Sequence, residues 1–125
     1  MSALVVAATI VAGALGAVLR YLTSRALAPR SRFPWAVLVV NVVGSAIGGV
    51  VLGLATIGGV DADIRLIVLT GLCGGLTTFS TWSVETVQLV REGKWRWVGL
   101  SVSGNLVLGI GAAAAAYAIT VASAG

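Results

Sequence analysis

Four long apolar runs, separated by short polar segments, dominate the pattern of this chain. A helix that crosses a bilayer needs about 20 apolar residues, and each run reaches that length once the first and third continue past one charged residue each. The pattern therefore predicts an all-α membrane protein, a single domain over residues 1–125. The four transmembrane helices are expected at about residues 3–27, 33–57, 65–90 and 96–122.

Composition supports a chain that lies almost wholly in the bilayer. Hydrophobic residues make up 58% of the sequence and charged residues 10%, whereas a soluble domain averages about 25% charged residues. No Lys or Arg precedes the first run, so it is not expected to be a cleavable signal peptide. The basic residues that give the net charge of +4 flank apolar spans. Membrane topology therefore explains this charge better than nucleic-acid binding does. A single cysteine, Cys73, excludes an intrachain disulfide and any cysteine-based metal site.

The third run is interrupted by glycines and hydroxyl side chains. Residues 71–83 read Gly-Leu-Cys-Gly-Gly-Leu-Thr-Thr-Phe-Ser-Thr-Trp-Ser. Lipid offers no hydrogen-bond partners, so a helix break at membrane depth is tolerated only inside protein or beside a polar cavity. This segment therefore predicts a break in the third helix and a pathway for a polar or ionic species. Four short helices alone would leave that pathway exposed to lipid, so an oligomer is expected.

Polar and aromatic side chains around the break are the candidates for ion contact. Phe79 and Trp82 are three apart and share a helical face, and aromatic rings have a positive edge that can face an anion. Hydroxyls, amides and the indole N–H could replace lost water. Alternatively, these groups only fill space, bond to their own helix or join helices, and spacing leaves the two readings balanced. The candidate polar residues are Asn41, Thr78, Ser80, Thr81, Ser101 and Asn105.

Two ionisable residues and two glycines complete the set of candidates. Arg20 and Glu85 lie deepest in the apolar stretches. Arg20 is expected to extend its side chain to the interface. Glu85 is expected either to pair with an arginine or to cap polar groups near the same interface, with proton transfer as the lesser alternative. Where Gly74 and Gly75 disturb the helix, free carbonyl oxygens would suit a hard cation such as sodium. A glycine contact for close helix crossing is the alternative reading.

The distribution of basic residues predicts an orientation. Seven of the eight lie on the side of the first and third connections, and one, Arg65, lies on the side of the second. The positive-inside rule then places those two connections in the cytoplasm and both termini outside. The seven are Arg20, Arg25, Arg30, Arg32, Arg91, Lys94 and Arg96.

Small residues four apart predict close helix contacts. Span 2 carries such pairs at Gly44 and Gly48 and at Gly49 and Gly53. Span 1 has a small face at Gly13, Gly16 and Ala17. Small faces allow helix backbones to approach each other in lipid.

Three motifs, taken in order, resemble the CrcB/Fluc family of fluoride channels. They are Gly-Ala-Val-Leu-Arg-Tyr at residues 16–21, Val-Asn-Val-Val-Gly-Ser at residues 40–45, and residues 71–83 followed by Glu85. The match covers essentially the whole chain, including its length, its four spans and its short loops.

The resemblance implies a small bacterial channel that exports fluoride and relieves its toxicity at the plasma membrane. It implies an antiparallel dimer with two fluoride pathways and a structural sodium ion at the interface. Backbone carbonyls of Gly74 and Thr77 match the positions that hold that ion. Asn41 matches the pore asparagine of the family, and Phe79 matches the first ring of its aromatic box.

The chain departs from the family pattern in three places. Trp82 replaces the second phenylalanine of the box, and Ser101 and Asn105 stand where a tyrosine and a serine are common. The charge asymmetry is the third departure, because a dual-topology homodimer needs nearly balanced loops. We therefore hypothesise pairing with an oppositely inserted homologue, and the homodimer remains the alternative.

Two other functions are weighed against the fluoride channel. Small multidrug transporters have a similar length and four spans, but they rely on an acidic residue in the first span, and this span has none. A non-transporting assembly subunit is the third reading. No acid–base pair or nucleophile arrangement indicates an enzyme.

Overall fold

The computed structural model describes residues 2–27 and 33–124. Residues 28–32, which include Pro29, Arg30 and Arg32 of the predicted first connection, lie outside the described part. The first two spans are continuous helices, α1 (Ala3–Leu27) and α2 (Trp35–Thr56). Both are apolar along most of their length, as a helix surrounded by lipid or protein must be.

The third span is built from several helical segments. It begins with α3 (Ala62–Leu66), continues through a π-helical stretch (Ile67–Cys73), and reaches α4 (Gly74–Leu76). Thr77 is extended, with φ −81° and ψ 157°, and α5 (Ser80–Arg91) starts three residues later. The fourth span is α6 (Trp95–Ala124).

Four membrane-spanning helices were predicted, and the described residues confirm that number. Each region is long and apolar enough to cross a bilayer: Ala3–Leu27, Trp35–Thr56, Ala62–Arg91 and Trp95–Ala124. The third region has the lowest mean hydropathy, 1.4, against 1.9 to 2.3 for the others. This region contains the hydroxyl-rich residues that follow Leu76.

Glycines set the spacing between packed helices. Helix α2 packs along α6, and α1 packs against the π-helical stretch and α4. A Cβ on Gly49 would meet the carbonyl oxygen of Ala113, and a Cβ on Gly53 would lie 2.9 Å from Thr120 Cβ. A Cβ on Gly16 would meet backbone atoms of the third span, including Leu76 N at 2.7 Å. The small-residue faces therefore lie at close contacts, where a larger side chain would separate the backbones.

The ends of three helices meet at one end of the molecule. A cavity of about 410 Å³ lies between the end of α1, the start of α2 and the end of α5. Its lining includes Leu27, Trp35 and Lys94. Phe33 packs edge-on against Trp35, with ring centroids 4.8 Å apart, and lies 5.5 Å from the Trp97 ring. The ends of α1 and α5 and the start of α2 thus share an end of the molecule that is rich in aromatic rings, as a membrane–water boundary commonly is.

Candidate functional site

Asn41 joins α2 to the non-helical residues that follow α4. Its Oδ1 accepts a hydrogen bond from Thr78 N at 2.9 Å, and its Nδ2 donates to Thr78 O at 3.3 Å. The side-chain amide thus pairs with both polar backbone groups of Thr78, which is buried. In lipid these groups would otherwise lack partners, so Asn41 allows the chain to leave helical geometry at this depth.

A second asparagine continues the network onto α6. Asn41 Nδ2 also donates to Asn105 Oδ1 at 3.0 Å, and Asn105 Nδ2 donates to the Ser101 carbonyl at 2.8 Å. The polar residues predicted in spans 2 and 4 therefore meet each other and residue 78. Because spacing alone gives no register between helices, this pairing across the bundle was not predicted.

The two aromatic candidates lie against each other. The ring centroids of Phe79 and Trp82 are 5.7 Å apart, with an interplanar angle of 66°, the edge-to-face arrangement that aromatic pairs favour. Phe79 is 75% exposed on the single chain. Trp82 Nε1 donates to Ser101 Oγ at 3.2 Å, and Ser101 is fully buried. The indole is thus held on α6 at its polar end and meets Phe79 at its ring.

The hydroxyls beside these rings serve the start of α5. Thr78 Oγ1 accepts from Thr81 N at 3.1 Å, as an N-capping side chain does. It also lies 3.4 Å from Ser80 Oγ. Ser80 is exposed on the single chain. Among the predicted hydroxyls of residues 78–81, that of Thr78 therefore bonds to the local backbone, and that of Ser80 lies nearer the surface.

Six of the twelve predicted site residues line one cavity of about 280 Å³. Phe79 and Trp82 form one part of the lining, and Leu106 forms another. Ser45 also lines it and was not named as a candidate, although its position one helical turn after Asn41 was a usable signal. The remaining lining residues are Asn41, Thr77, Thr78 and Asn105.

Arg20 and Glu85 lie apart from this cavity. Arg20 lines a second cavity of about 240 Å³, together with Thr78 and Thr81. Glu85 lines the cavity at the aromatic-rich end, and its Oε2 is buried without a hydrogen-bond partner among residues 2–27 and 33–124. Among those described residues, no ion pair joins Glu85 to an arginine. The ion pair that they contain joins Lys94 Nζ to Glu92 Oε1 at 3.2 Å.

The carbonyls of Gly74 and Thr77 lose their helical donors. Thr78 N–H, which would donate to Gly74 in a continuing α-helix, donates to Asn41 Oδ1, and Thr81 N–H, which would donate to Thr77, donates to Thr78 Oγ1. Gly74 is also exposed on the single chain. Free carbonyl oxygens are ligands that hard cations accept, so the two residues fit such an ion.

Comparison with known proteins gives a consistent set of relatives. Residues 7–117 match the model of a family described as CrcB-like protein, Camphor Resistance (CrcB). A "Fluoride-specific ion channel FluC" of Paramagnetospirillum magneticum is 42% identical over 100 residues, which cover 76% of this chain and 78% of the relative. Proteins of the same name from Gluconobacter oxydans and Opitutus terrae are 43% and 46% identical. Those matches cover 83% and 77% of this chain, and 76% of each relative.

Proposed function

Because this chain belongs to the CrcB family, we propose that it is a fluoride-selective ion channel. The observation that carries the proposal is the hydrogen-bonded group of Asn41, Thr78 and Asn105 beside the paired rings of Phe79 and Trp82. It brings amide donors and aromatic rings to one cavity inside an apolar bundle. The family resemblance that the sequence motifs predicted is confirmed by the family match and by the relatives.

Fluoride is a small anion that holds its water tightly, so a pathway must replace that water with donors. Amide N–H and hydroxyl groups provide directional donors, and ring edges provide a weaker positive potential. None of these groups carries a full charge. Conduction requires contacts that are strong enough for entry and weak enough for exit, and a set of neutral donors meets both conditions. We propose passive export of fluoride across the bacterial plasma membrane, which would lower its toxicity in the cytoplasm.

A structural sodium ion is part of the proposal. The carbonyls of Gly74 and Thr77 would hold it, because both lose their helical N–H donors to side chains. When bound, the ion supplies positive charge that offsets the free carbonyl oxygens. The role of this chain is to keep these two carbonyls outside the helical hydrogen-bond ladder.

An antiparallel dimer is also proposed. Gly74, Phe79 and Ser80 are exposed on the single chain although they lie within the third span. Exposed carbonyls and hydroxyls at that depth are costly in lipid, which favours coverage by a second subunit. The excess of basic residues at one end favours an oppositely inserted homologue as that subunit, and a second copy of this chain is the alternative. Accessibility of tags on both termini in intact cells separates the two, because a homodimer would display tags on both sides.

The proposed function is tested by ion efflux from liposomes that contain the purified chain, followed with fluoride and chloride electrodes. Release of fluoride without chloride supports a selective channel that needs this chain alone. If fluoride is retained, the measurement is repeated with a co-expressed homologue. Retention in both cases would contradict the proposal and favour a non-transporting subunit.

A further inference from the structure

The turn between α5 and α6 is held in one conformation by its backbone. Gly93 has a φ of +72°, the left-handed geometry that glycine adopts readily. Gly93 N donates to Val90 O at 3.0 Å, and Lys94 N donates to Leu89 O at 2.9 Å. These two bonds form the Schellman arrangement that ends many helices. The turn therefore fixes where the end of α5 and the start of α6 lie relative to each other.

Two arginines beside this turn have no acidic partner. Arg91 is the last residue of α5 and Arg96 is the second residue of α6, and both are exposed. The ion pair within residues 2–27 and 33–124 joins Lys94 Nζ to Glu92 Oε1 at 3.2 Å, so a lysine already engages the acidic residue of the turn. In that part of the chain no carboxylate neutralises either guanidinium group, and both are available to an external anion.

Trp95 lies between the two arginines in the sequence and is 66% exposed. Its indole N–H has no acceptor among the residues that the structure describes. A tryptophan with an apolar ring and a free N–H is typical of the headgroup level of a bilayer. The turn joins two regions that can each span a membrane, Ala62–Arg91 and Trp95–Ala124. The three side chains therefore lie at the boundary between lipid and water.

The two ends of the molecule differ in charge. At the end that holds the turn, the described residues include five basic and two acidic side chains, whereas the other end has one basic and two acidic side chains. An excess of basic residues at a membrane boundary attracts anionic lipid headgroups. The first group is Arg20, Arg25, Arg91, Lys94 and Arg96 with Glu85 and Glu92, and the second is Arg65 with Asp61 and Asp63.

We infer that Arg91, Trp95 and Arg96 form a binding surface for the headgroup of an anionic phospholipid such as phosphatidylglycerol. A guanidinium group can donate to two phosphate oxygens at once, and the indole N–H can donate to a further oxygen of the headgroup. Phosphatidylcholine carries the same phosphate with an added positive charge, which the arginines repel. The surface therefore favours the anionic lipid. This inference goes beyond the proposed function and does not depend on fluoride transport.

Quenching of tryptophan fluorescence by brominated lipids tests the inference. The purified chain is reconstituted in phosphatidylcholine bilayers that contain increasing fractions of brominated phosphatidylglycerol or brominated phosphatidylcholine. The difference between the wild type and Trp95→Phe gives the signal of Trp95. Half-maximal quenching of that signal should need at least about fivefold less of the anionic lipid, the factor expected from one arginine near an anionic headgroup. Equal quenching by the two lipids would overturn the inference.

Two arginine variants provide the control. Arg91→Gln with Arg96→Gln should remove the preference for the anionic lipid. Arg65→Gln should keep it, because Arg65 is an exposed arginine at the opposite end of the third span. A preference that survives the double substitution, or that Arg65→Gln removes equally, would contradict the assignment.

Two further measurements separate the alternatives. If inorganic phosphate displaces brominated phosphatidylglycerol from Trp95, the ligand is a soluble phosphate and the lipid assignment is wrong. The preference should also appear in the total fluorescence of the wild-type chain, whose four tryptophans include Trp95, so misfolding of a variant does not decide the result. Fluoride efflux enters none of these measurements, so a failure of the proposed function would leave them unchanged.

Discussion

The hydrogen bond from Trp82 to Ser101 should stabilise the folded chain by a measurable amount. Trp82 Nε1 lies 3.2 Å from Ser101 Oγ, and Ser101 is fully buried. Ser101→Ala removes the acceptor and leaves the indole N–H without a partner, and Trp82→Phe removes the donor and leaves the hydroxyl without one. Each single substitution should therefore lower the free energy of unfolding by about 1–3 kcal/mol, the range for an unsatisfied buried polar group.

The double substitution separates the hydrogen bond from other effects. Trp82→Phe with Ser101→Ala leaves neither an unpaired indole nor an unpaired hydroxyl, so its loss should be smaller than the sum of the two single losses. Side-chain hydrogen bonds between membrane helices average about 0.6 kcal/mol and reach about 1.7 kcal/mol in such cycles. Because Ser101 is fully buried, we expect a coupling energy in the upper half of that range.

The assay is reversible unfolding in mixed detergent micelles by increasing sodium dodecyl sulfate, followed by far-ultraviolet circular dichroism. Trp95→Phe with Ser101→Ala is the matched control cycle, because Trp95 is 66% exposed and lies on α6 with Ser101. Its coupling energy should be zero within error. A coupling energy near zero for Trp82 and Ser101 would refute the view that this bond holds the indole in place.

Three further outcomes are expected. Gly75→Ala should destabilise the chain by about 1–3 kcal/mol through overpacking, because the added Cβ would meet the Gly13 carbonyl. Gly99→Ala is the control and should be neutral or slightly stabilising, because a Cβ at Gly99 has open space. Equal thermal shifts for the two variants would contradict the packing argument. Thr78→Val should lower the free energy of unfolding by about 1 kcal/mol, since Thr81 N–H loses its capping oxygen, whereas Thr78→Ser should retain the stability of the wild type. Both variants are measured by the same unfolding assay. Equal losses in the two would show that the hydroxyl is not the stabilising group. Replacement of sodium by choline should lower the Tm of the assembled protein if carbonyl oxygens hold a structural ion, and an unchanged Tm would count against that ion.

The apolar runs were enough to predict the four helices, because hydrophobic length reflects the thickness of a bilayer directly. The contacts within the candidate site could not be predicted from hydrophobic length. Asn41 and Thr78 are 37 residues apart, and Asn41 and Asn105 are 64 apart. Such pairs depend on the rotation and register of packed helices, which the spacing within one helix does not determine. The π-helical stretch was likewise not predicted, because no residue type in it demands that geometry.

The resemblance to a family identified the same residues but not their partners. It assigned Asn41 to the pore, and it did not imply the hydrogen bonds of that residue to Thr78 and Asn105. It also marked Trp82 and Ser101 as separate departures. They form one donor–acceptor pair, so the two unusual residues depend on each other.

The hydrogen bonds made by the backbone of the third span determine which kind of ion that backbone can attract. Where α4 ends, Thr78 N–H and Thr81 N–H receive side-chain acceptors. The carbonyls of Gly74 and Thr77, which would have received those N–H groups, gain no replacement from the same side chains. The backbone between α4 and α5 therefore has free negative dipole ends, which attract cations. In a continuous helix the carbonyls of Gly74 and Thr77 would keep these N–H partners, so the side chains of Asn41 and Thr78 free the two carbonyls by accepting from Thr78 N–H and Thr81 N–H.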